Sequence, residues 1–437
     1  MNIDKIKNLA LAKFFYKIPG LVWFYHFLLA FFAAVFYSFP SRRIFVIGVT
    51  GTKGKTTILE LLNAILERAG KKTALLSSLR VKIGEESEKN ILGNTMPGRF
   101  YIQSFLARAV KAGCKYALVE ATSQGVALSR HRFINWNSGI LINVHPEHIE
   151  SHGSFEKYRN AKLQFLKYVL KKGGKVFLNS EDENFEFFAK KLAGPKTFSF
   201  SKNSQELVGI FPKAFPTSAA AGNSRPDFVL SDFNKDNVAA AVAKALDLGI
   251  SRNIIEEALR NFRSVPGRME FVRHGFYTAV VDYAHTPDSL EAVYKALRAE
   301  LGKYQFPNPK LICVLGSAGG GRDKWKRPEF GKIASEYCDE IILTDEDPYD
   351  EDPEEIIGEI ETGVREGLRS SPRQSAVHKI VDRKKAISKA IELAREGDIV
   401  VCTGKGSEDF IHVAHGKKIP WSEKAVVEEA IKQKRAS

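Results

Sequence analysis

The ten residues Gly48 to Thr57, GVTGTKGKTT, constrain the fold more than any other stretch of this 437-residue chain. An apolar run, Ile44-Phe45-Val46-Ile47, precedes them, and an amphipathic run from Ile58 to Leu66 follows. That order predicts strand, glycine turn, helix. Such a turn leaves backbone N–H groups unpaired at a helix N-terminus, where they can hold phosphate. Gly51, Thr52 and Gly54 would form the cradle, with Thr57 in the first helical turn. Lys55 would reach the terminal phosphates, and the Thr56 hydroxyl would ligate Mg²⁺. The match to the usual phosphate loop is imperfect: its first glycine belongs at position 49, which is Val, and the glycine is Gly48. The alternative is a glycine-rich turn with no ligand.

Downstream the pattern alternates. Strands are expected at residues 72–76, 116–120, 138–144 and 175–179, and helices at 103–112 and 155–170, which argues for a parallel α/β sheet. Residues 200–227 read as irregular or edge structure. A second α/β unit follows a hinge at Val265-Pro266-Gly267-Arg268, with strands at 278–282, 311–315, 340–344 and 399–402. The acidic stretch 345–361 reads as a solvated loop and helix start. The expected fold is α/β throughout. A hydrophobic helical segment (1–40) precedes a central phosphate-loop ATPase-type parallel sheet domain (41–265) and a Rossmann-like C-terminal domain (266–437).

Residues 21–39, LVWFYHFLLAFFAAVFYSF, are apolar except for His26 and Ser38, about the length that crosses a bilayer. Lys13, Lys17, Arg42 and Arg43 flank them. No convincing cleavage site follows, so a secretory signal is not expected. Two readings compete: a helix inserted in or lying on a membrane, or a helical hairpin broken near Pro19-Gly20 that packs on the next domain. A full span is disfavoured because a core strand starts at about Ile44. The net charge of +14 fits an anionic substrate, a membrane surface or nucleic acid. No basic tract carries interleaved aromatics, so no nucleic acid is expected. Cys114, Cys313, Cys338 and Cys402 are far apart with no CxxC, which reads as reduced, buried thiols in a cytosolic protein.

Open α/β sheets bind ligands beyond the carboxyl edge of their strands. Glu120 ends one strand, and the stretch Asn143 to Gly153, with three histidines, follows another. The histidine spacing is not that of HExxH and no cysteine accompanies it, so a hard-cation site with phosphate oxygens fits better than zinc. Lys162, by composition alone, reads as a solvated helical charge.

These motifs resemble the Mur ligases, and within them the branch that adds the third residue of the peptidoglycan stem. The resemblance runs from Arg43 to nearly the C-terminus. GTKGKTT is similar to the family's GTNGKTT, and Glu120-Ala121-Thr122-Ser123 to its EVSS. Asn143 to Gly153 is similar to TNLTxDHLDYHG, and Tyr158 to Lys162 to the segment with a carbamylated lysine. The resemblance implies that Thr56, Glu120, His148 and a carbamylated Lys162 hold Mg²⁺. It implies that Lys55, Lys162, His148 and Glu120 carry catalysis. Phe233-Asn234 with Asn237 resembles an adenine-contacting FNxxN, and Val265 to Glu270 is the VPGRME hinge. Asp282 to Asp288 resembles DYAHTPD, so Arg268, Asp282 and His285 would bind ATP with Asn234 and Asn237. Asn94, Thr95, Ser123 and Arg130 would touch the acceptor. Arg322 and Asp323, in a GDRDxxKRP-like stretch, would hold the incoming amino acid with Gly404 and Glu408 of a GKGHE-like one.

Several positions depart from the family. The hydrophobic segment stands where the uridine-binding domain is usual. The DNPR motif reads Glu346-Asp347-Pro348-Tyr349, the GKGHE histidine is Ser407, the EVSSH histidine is Gln124, and the GTNGKT asparagine is Lys53. The implied reaction is ATP-dependent amide formation on a muramyl-peptide carboxylate. Lys55 and Mg²⁺ would offset the repulsion between that carboxylate and the γ-phosphate, giving an acyl phosphate that an amino-acid amine attacks. Closure about Pro266-Gly267 would exclude water. With Tyr349 in place of arginine, diaminopimelate is expected to be a poor substrate and a basic amino acid, lysine or ornithine, a good one. The alternatives are a lipid-linked acceptor and a non-catalytic ATP-binding subunit. A cytoplasmic monomer is expected, in contact with the inner face of the cytoplasmic membrane through residues 1–40.

Overall fold

The computed structural model describes residues 19–92, 95–146, 152–214, 231–274, 277–302, 306–370 and 373–436. Asn94 and His148, both assigned above, lie outside these residues, as does the chain before Pro19. The chain forms two compact units, Met1–Phe215 with Phe233–Asn261, and Phe262–Ser437 with Pro216–Asp232.

The first unit holds an eight-stranded sheet: β1 (Phe45–Thr50), β2 (Thr73–Leu76), β3 (Arg80–Ile83), β4 (Glu86–Lys89), β5 (Tyr116–Glu120), β6 (Trp136–Leu141), β7 (Lys175–Asn179) and β8 (Thr197–Phe200). The order is β4-β3-β2-β5-β1-β6-β7-β8. β2, β5, β1, β6, β7 and β8 are parallel, and β3 and β4 are antiparallel. Strands covered on both faces read as continuous apolar runs. β1, β2 and β5 do so, and β4, the exposed edge, is Glu86-Ser87-Glu88-Lys89. β1 lies between β5 and β6, so its carboxyl end sits where the chain's path through the sheet reverses. Gly48 is within β1, not in the loop. A Cβ there would collide with the rings of Phe165 and Trp136, which pack edge to face at 5.1 Å. The displaced glycine of the motif is thus a core-packing residue.

The second unit holds β9 (Glu270–His274), β10 (Tyr277–Val281), β11 (Leu311–Leu315), β12 (Glu340–Leu343), β13 (Ala376–Lys379) and β14 (Ile399–Cys402), in the order β13-β12-β11-β14-β10-β9. Only β9 runs antiparallel. A hairpin, β15 (Phe410–Val413) with β16 (Lys417–Pro420), and the helix Glu423–Ala436 close the chain.

Three expectations change. Residues Gln205–Ala214, expected to be irregular, form a helix. The acidic stretch does contain the expected helix start, at Pro353, but Glu346 and Asp347 in it are buried and not solvated. Cys313 and Cys338 are joined in a disulfide with Cα atoms 6.1 Å apart, which corrects the expectation of four reduced thiols. Cys313 lies in β11, and Cys338 leads into β12, its neighbour. A separation of 25 residues along the chain carries no sign of that adjacency. Cys114 and Cys402 are free and buried.

The hydrophobic segment forms the helix Pro19–Phe36. His26, Ala30, Ala33 and Ala34 face the first unit, while Phe27 and Phe31 meet the Phe133 ring at 5.0 and 5.4 Å. Burial, helped by Arg99 and Arg130, pushes His26 down to about 4, so it is neutral at physiological pH. Among the described residues no helix is long and apolar enough to cross a membrane.

Candidate active site

The turn after β1 is shaped by close backbone approach. Gly54, at φ +83°, caps the helix Lys55–Arg68. A Cβ at Gly54 would strike the Asn237 carboxamide, and one at Gly51 would strike Ile142. Thr52 and Lys53 both donate their N–H to Asn143 Oδ1 at 2.9 Å. The Thr52 hydroxyl accepts from His145 N and lies 2.9 Å from the Tyr158 hydroxyl. Lys55 Nζ lies across the loop, donating to Gly51 O at 2.9 Å and Thr52 O at 3.0 Å.

The helix start places Thr56 and Thr57 beneath the loop, both buried. Thr56 Oγ1 donates to Glu120 Oε1 at 2.7 Å, at the end of β5. Ser78, just past β2, donates its N–H to the same oxygen at 2.9 Å, and its hydroxyl is 3.0 Å from Thr56 Oγ1. Two hydroxyls and a carboxylate beside a phosphate loop suit a hard cation such as Mg²⁺. Lys162, fully buried, holds Nζ 4.4 Å from the centre of the Tyr158 ring, so Tyr158 joins it to the loop. His152 Nε2 is 3.0 Å from Ser123 Oγ. Arg130 is anchored on Met96 O, beside half-buried Thr95. Asn234 and Asn237 are both buried, with Asn237 Nδ2 3.4 Å from Asn234 Oδ1.

The remaining assigned residues lie in the second unit. Asp282, beyond β10, accepts from Met269 N at 2.6 Å and Ala284 N at 2.7 Å. The Arg268 guanidinium lies 4.3 Å from the Tyr283 ring centre, and His285 Nδ1 meets Tyr283 O at 2.8 Å. Glu408 accepts from the Tyr283 hydroxyl at 3.1 Å and from Lys405 Nζ at 2.6 Å. Lys405, wholly buried, also reaches Asp347 Oδ1 at 2.8 Å. Gly404, at φ +103°, leaves room for the Glu346 carboxyl, which a Cβ would strike. Arg322 donates to the Tyr349 hydroxyl at 3.2 Å, and Asp323 is half-buried.

A buried ion pair fixes these loops. Arg383 Nε meets Glu423 Oε2 at 3.0 Å, and its other nitrogens reach Asp345 O and Thr403 O. Glu423→Gln should cost about 3–5 kcal/mol, read by chemical unfolding, because it strands a buried guanidinium. A loss within error of zero would show that the pair does not hold the loops.

Sequence reasoning missed Ser78, and it placed Asn143 and His152 only within a strand-end stretch and Tyr158 only within a motif, without the contacts they make. Ser78 follows the carboxyl end of β2, which is the signal that could have found it.

Comparison with known proteins identifies the family. The Mur ligase middle domain matches residues 49–243, and the Mur ligase glutamate ligase domain matches residues 267–406. A UDP-N-acetylmuramoyl-L-alanyl-D-glutamate–2,6-diaminopimelate ligase of Syntrophomonas wolfei is 36% identical over 391 residues, 87% of this chain and 77% of the relative. The protein of that name from Aquifex aeolicus is 35% identical over 405 residues, covering 91% and 79%. A solved structure of a ligase of the same name superposes with a TM-score of 0.59 at 26% identity, covering 90% of this chain and 79% of the other. The chain belongs to the Mur ligase family and is an ATP-dependent, ADP-forming peptide ligase of peptidoglycan synthesis, with ATP and Mg²⁺ as cofactors.

Proposed function

We propose that the chain adds a basic amino acid to a muramyl-peptide carboxylate, as a monomer on the cytoplasmic side of the membrane, touching its surface through residues 1–40. Residues 41–265 bind ATP and residues 266–437 the amino acid. The observation that carries the chemistry is the 2.7 Å contact of Thr56 with Glu120 beside the phosphate loop. Mg²⁺ bound there, with His148 and Lys162, would supply charge neutralisation at the phosphates. Lys55 pairs with the terminal phosphate as the acceptor carboxylate approaches it. Asn234, Asn237, Arg268, Asp282 and His285 hold the nucleotide. Asn94, Thr95, Ser123 and Arg130 hold the acceptor. Arg322, Asp323, Gly404 and Glu408 orient the amine that displaces phosphate. Mass spectrometry of products, with candidate acceptors crossed against each amino acid, tests the reading. Phosphate release without any amide product would overturn it. A lipid-carried acceptor is the second reading, favoured by the outward aromatic face of the helix Pro19–Phe36, and the same product assay separates the two.

The choice of amino acid rests on two groups. Tyr349 stands where the family motif has arginine. It stacks on His412 at 5.1 Å and offers no cation to a distal carboxylate. Glu346 is buried beside Gly404, and burial pushes its carboxyl up to about 7 against the pull of Arg383 and Lys405. A cationic side chain pairs with it once the proton leaves. Lysine or ornithine should therefore exceed diaminopimelate in kcat/KM by roughly tenfold or more. The kcat/KM for lysine should rise between about pH 6 and 8 as Glu346 ionises. Glu346→Gln should flatten that rise. Preference for diaminopimelate, or a profile unchanged by the substitution, would count against the assignment.

A further inference from the structure

The helix Pro19–Phe36 is built inside out. Its small residues and one neutral histidine, His26, Ala30, Ala33 and Ala34, face the protein. Its large apolar residues, Leu21, Phe24, Tyr25, Phe32, Val35 and Phe36, face outward, with Phe36 72% exposed against 0% for Ala33. They stand at i, i+3, i+4, i+11, i+14 and i+15, which fall on one side of a helix with 3.6 residues per turn, so they form one stripe along it. The helix Arg99–Lys111 packs beside it and lengthens the stripe with exposed Phe100, whose ring centre is 6.3 Å from that of Phe36. An exposed apolar stripe of this extent marks an interaction surface.

Its surroundings say which kind. From Lys5 to Leu59 the chain contains no carboxylate, nor does it from Arg99 to Lys115. Arg42, Arg43, Arg108 and Lys111 are exposed on these segments. A protein partner that covers apolar residues does not require a rim of one charge sign. The anionic surface of a bilayer does, and its interfacial layer favours the tyrosine that this face carries at Tyr25. We infer that the outward face of the helix Pro19–Phe36 seats the chain on an anionic lipid surface, with the helix lying in the membrane plane. This rests on the membrane-contact part of the reading above and not on its amide-ligase part. A helix half buried in its own protein gives up one side to packing, so it lies at the interface and does not insert.

Flotation of the full chain tests it, with vesicles of pure phosphatidylcholine against an equimolar mixture with phosphatidylglycerol. The chain should float with the anionic vesicles, less so at high salt. In the variant Tyr25→Trp, whose position lies on the stripe, tryptophan emission should shift to the blue with the anionic vesicles by more than in the wild type. The triple variant Phe24→Ser, Phe32→Ser, Phe36→Ser should lower partitioning on the order of tenfold or more while ATP turnover stays unchanged. Arg42→Glu with Arg43→Glu should lower binding to anionic vesicles only, by more than about tenfold. Wild-type protein that stays in the aqueous phase with both vesicles overturns the inference. So does light scattering that shows a dimer dissociated by the triple variant, since a second copy would then cover the face. Footprinting that finds Phe24, Phe32 and Phe36 protected until residues 1–18 are removed overturns it too. Flotation without amide formation would sink the ligase reading and leave this one standing.

Discussion

Lys55→Ala is expected to lower ATP turnover by a factor on the order of 10³ or more while leaving the fold intact. The ammonium lies over the loop's own backbone carbonyls, 2.9 and 3.0 Å away. Removing it leaves the transferring phosphoryl group without a charge partner supplied by the loop. The stability effect should be small, because alanine is the best helix former and position 55 opens a helix. Phosphate release and thermal unfolding, measured on the same sample, separate the two quantities. Near-normal turnover would mean that the loop does not bind the terminal phosphates.

Lys162→Ala should reduce amide formation by roughly 100-fold or more, and small carboxylates such as acetate or formate should restore part of it. The side chain is fully buried over Tyr158, whose hydroxyl touches Thr52 of the phosphate loop. A carbamate on Nζ would convert a buried cation into an oxygen ligand within reach of that loop. A purely structural lysine would respond differently: Lys162→Met, which keeps most of the packing, would then retain activity, and carboxylates would rescue neither variant. Loss in both variants with rescue in Lys162→Ala supports the ligand role. Mass spectrometry of the intact protein under CO₂, searching for the carbamate, is an independent check.

Much of the first unit was legible because its information is local. The apolar run before Gly51 and the amphipathic run after Lys55 specify strand, turn and helix without reference to the rest of the chain, and Glu120 at a strand end needs only the strand. What escaped depends on contacts far apart in sequence. Gly48 looked like a misplaced loop glycine until the Trp136 and Phe165 rings explained it. Ser78 gains meaning only when β2 lies beside β5. The Cys313–Cys338 pairing required knowing that β11 and β12 are neighbours. The N-terminal segment was legible in length and composition, but the direction its aromatic side chains take was not. Hydropathy is nearly uniform around that helix, so only residue size distinguishes its two faces.

The contact of Gly54 with Asn237 has a consequence for the order of assembly during synthesis. The phosphate loop leaves the ribosome early, yet Asn237, in the helix Asp232–Asp247 that packs against it, is made 183 residues after Gly54. A nascent chain stalled before Asn237 therefore carries the whole nucleotide motif with one wall missing. It must hold that loop open, at the entropic cost of a long closure, until the returning helix docks. Nucleotide capture should begin abruptly as that helix emerges, so ATP can act as a ligand that draws the first unit shut while the second is still being translated.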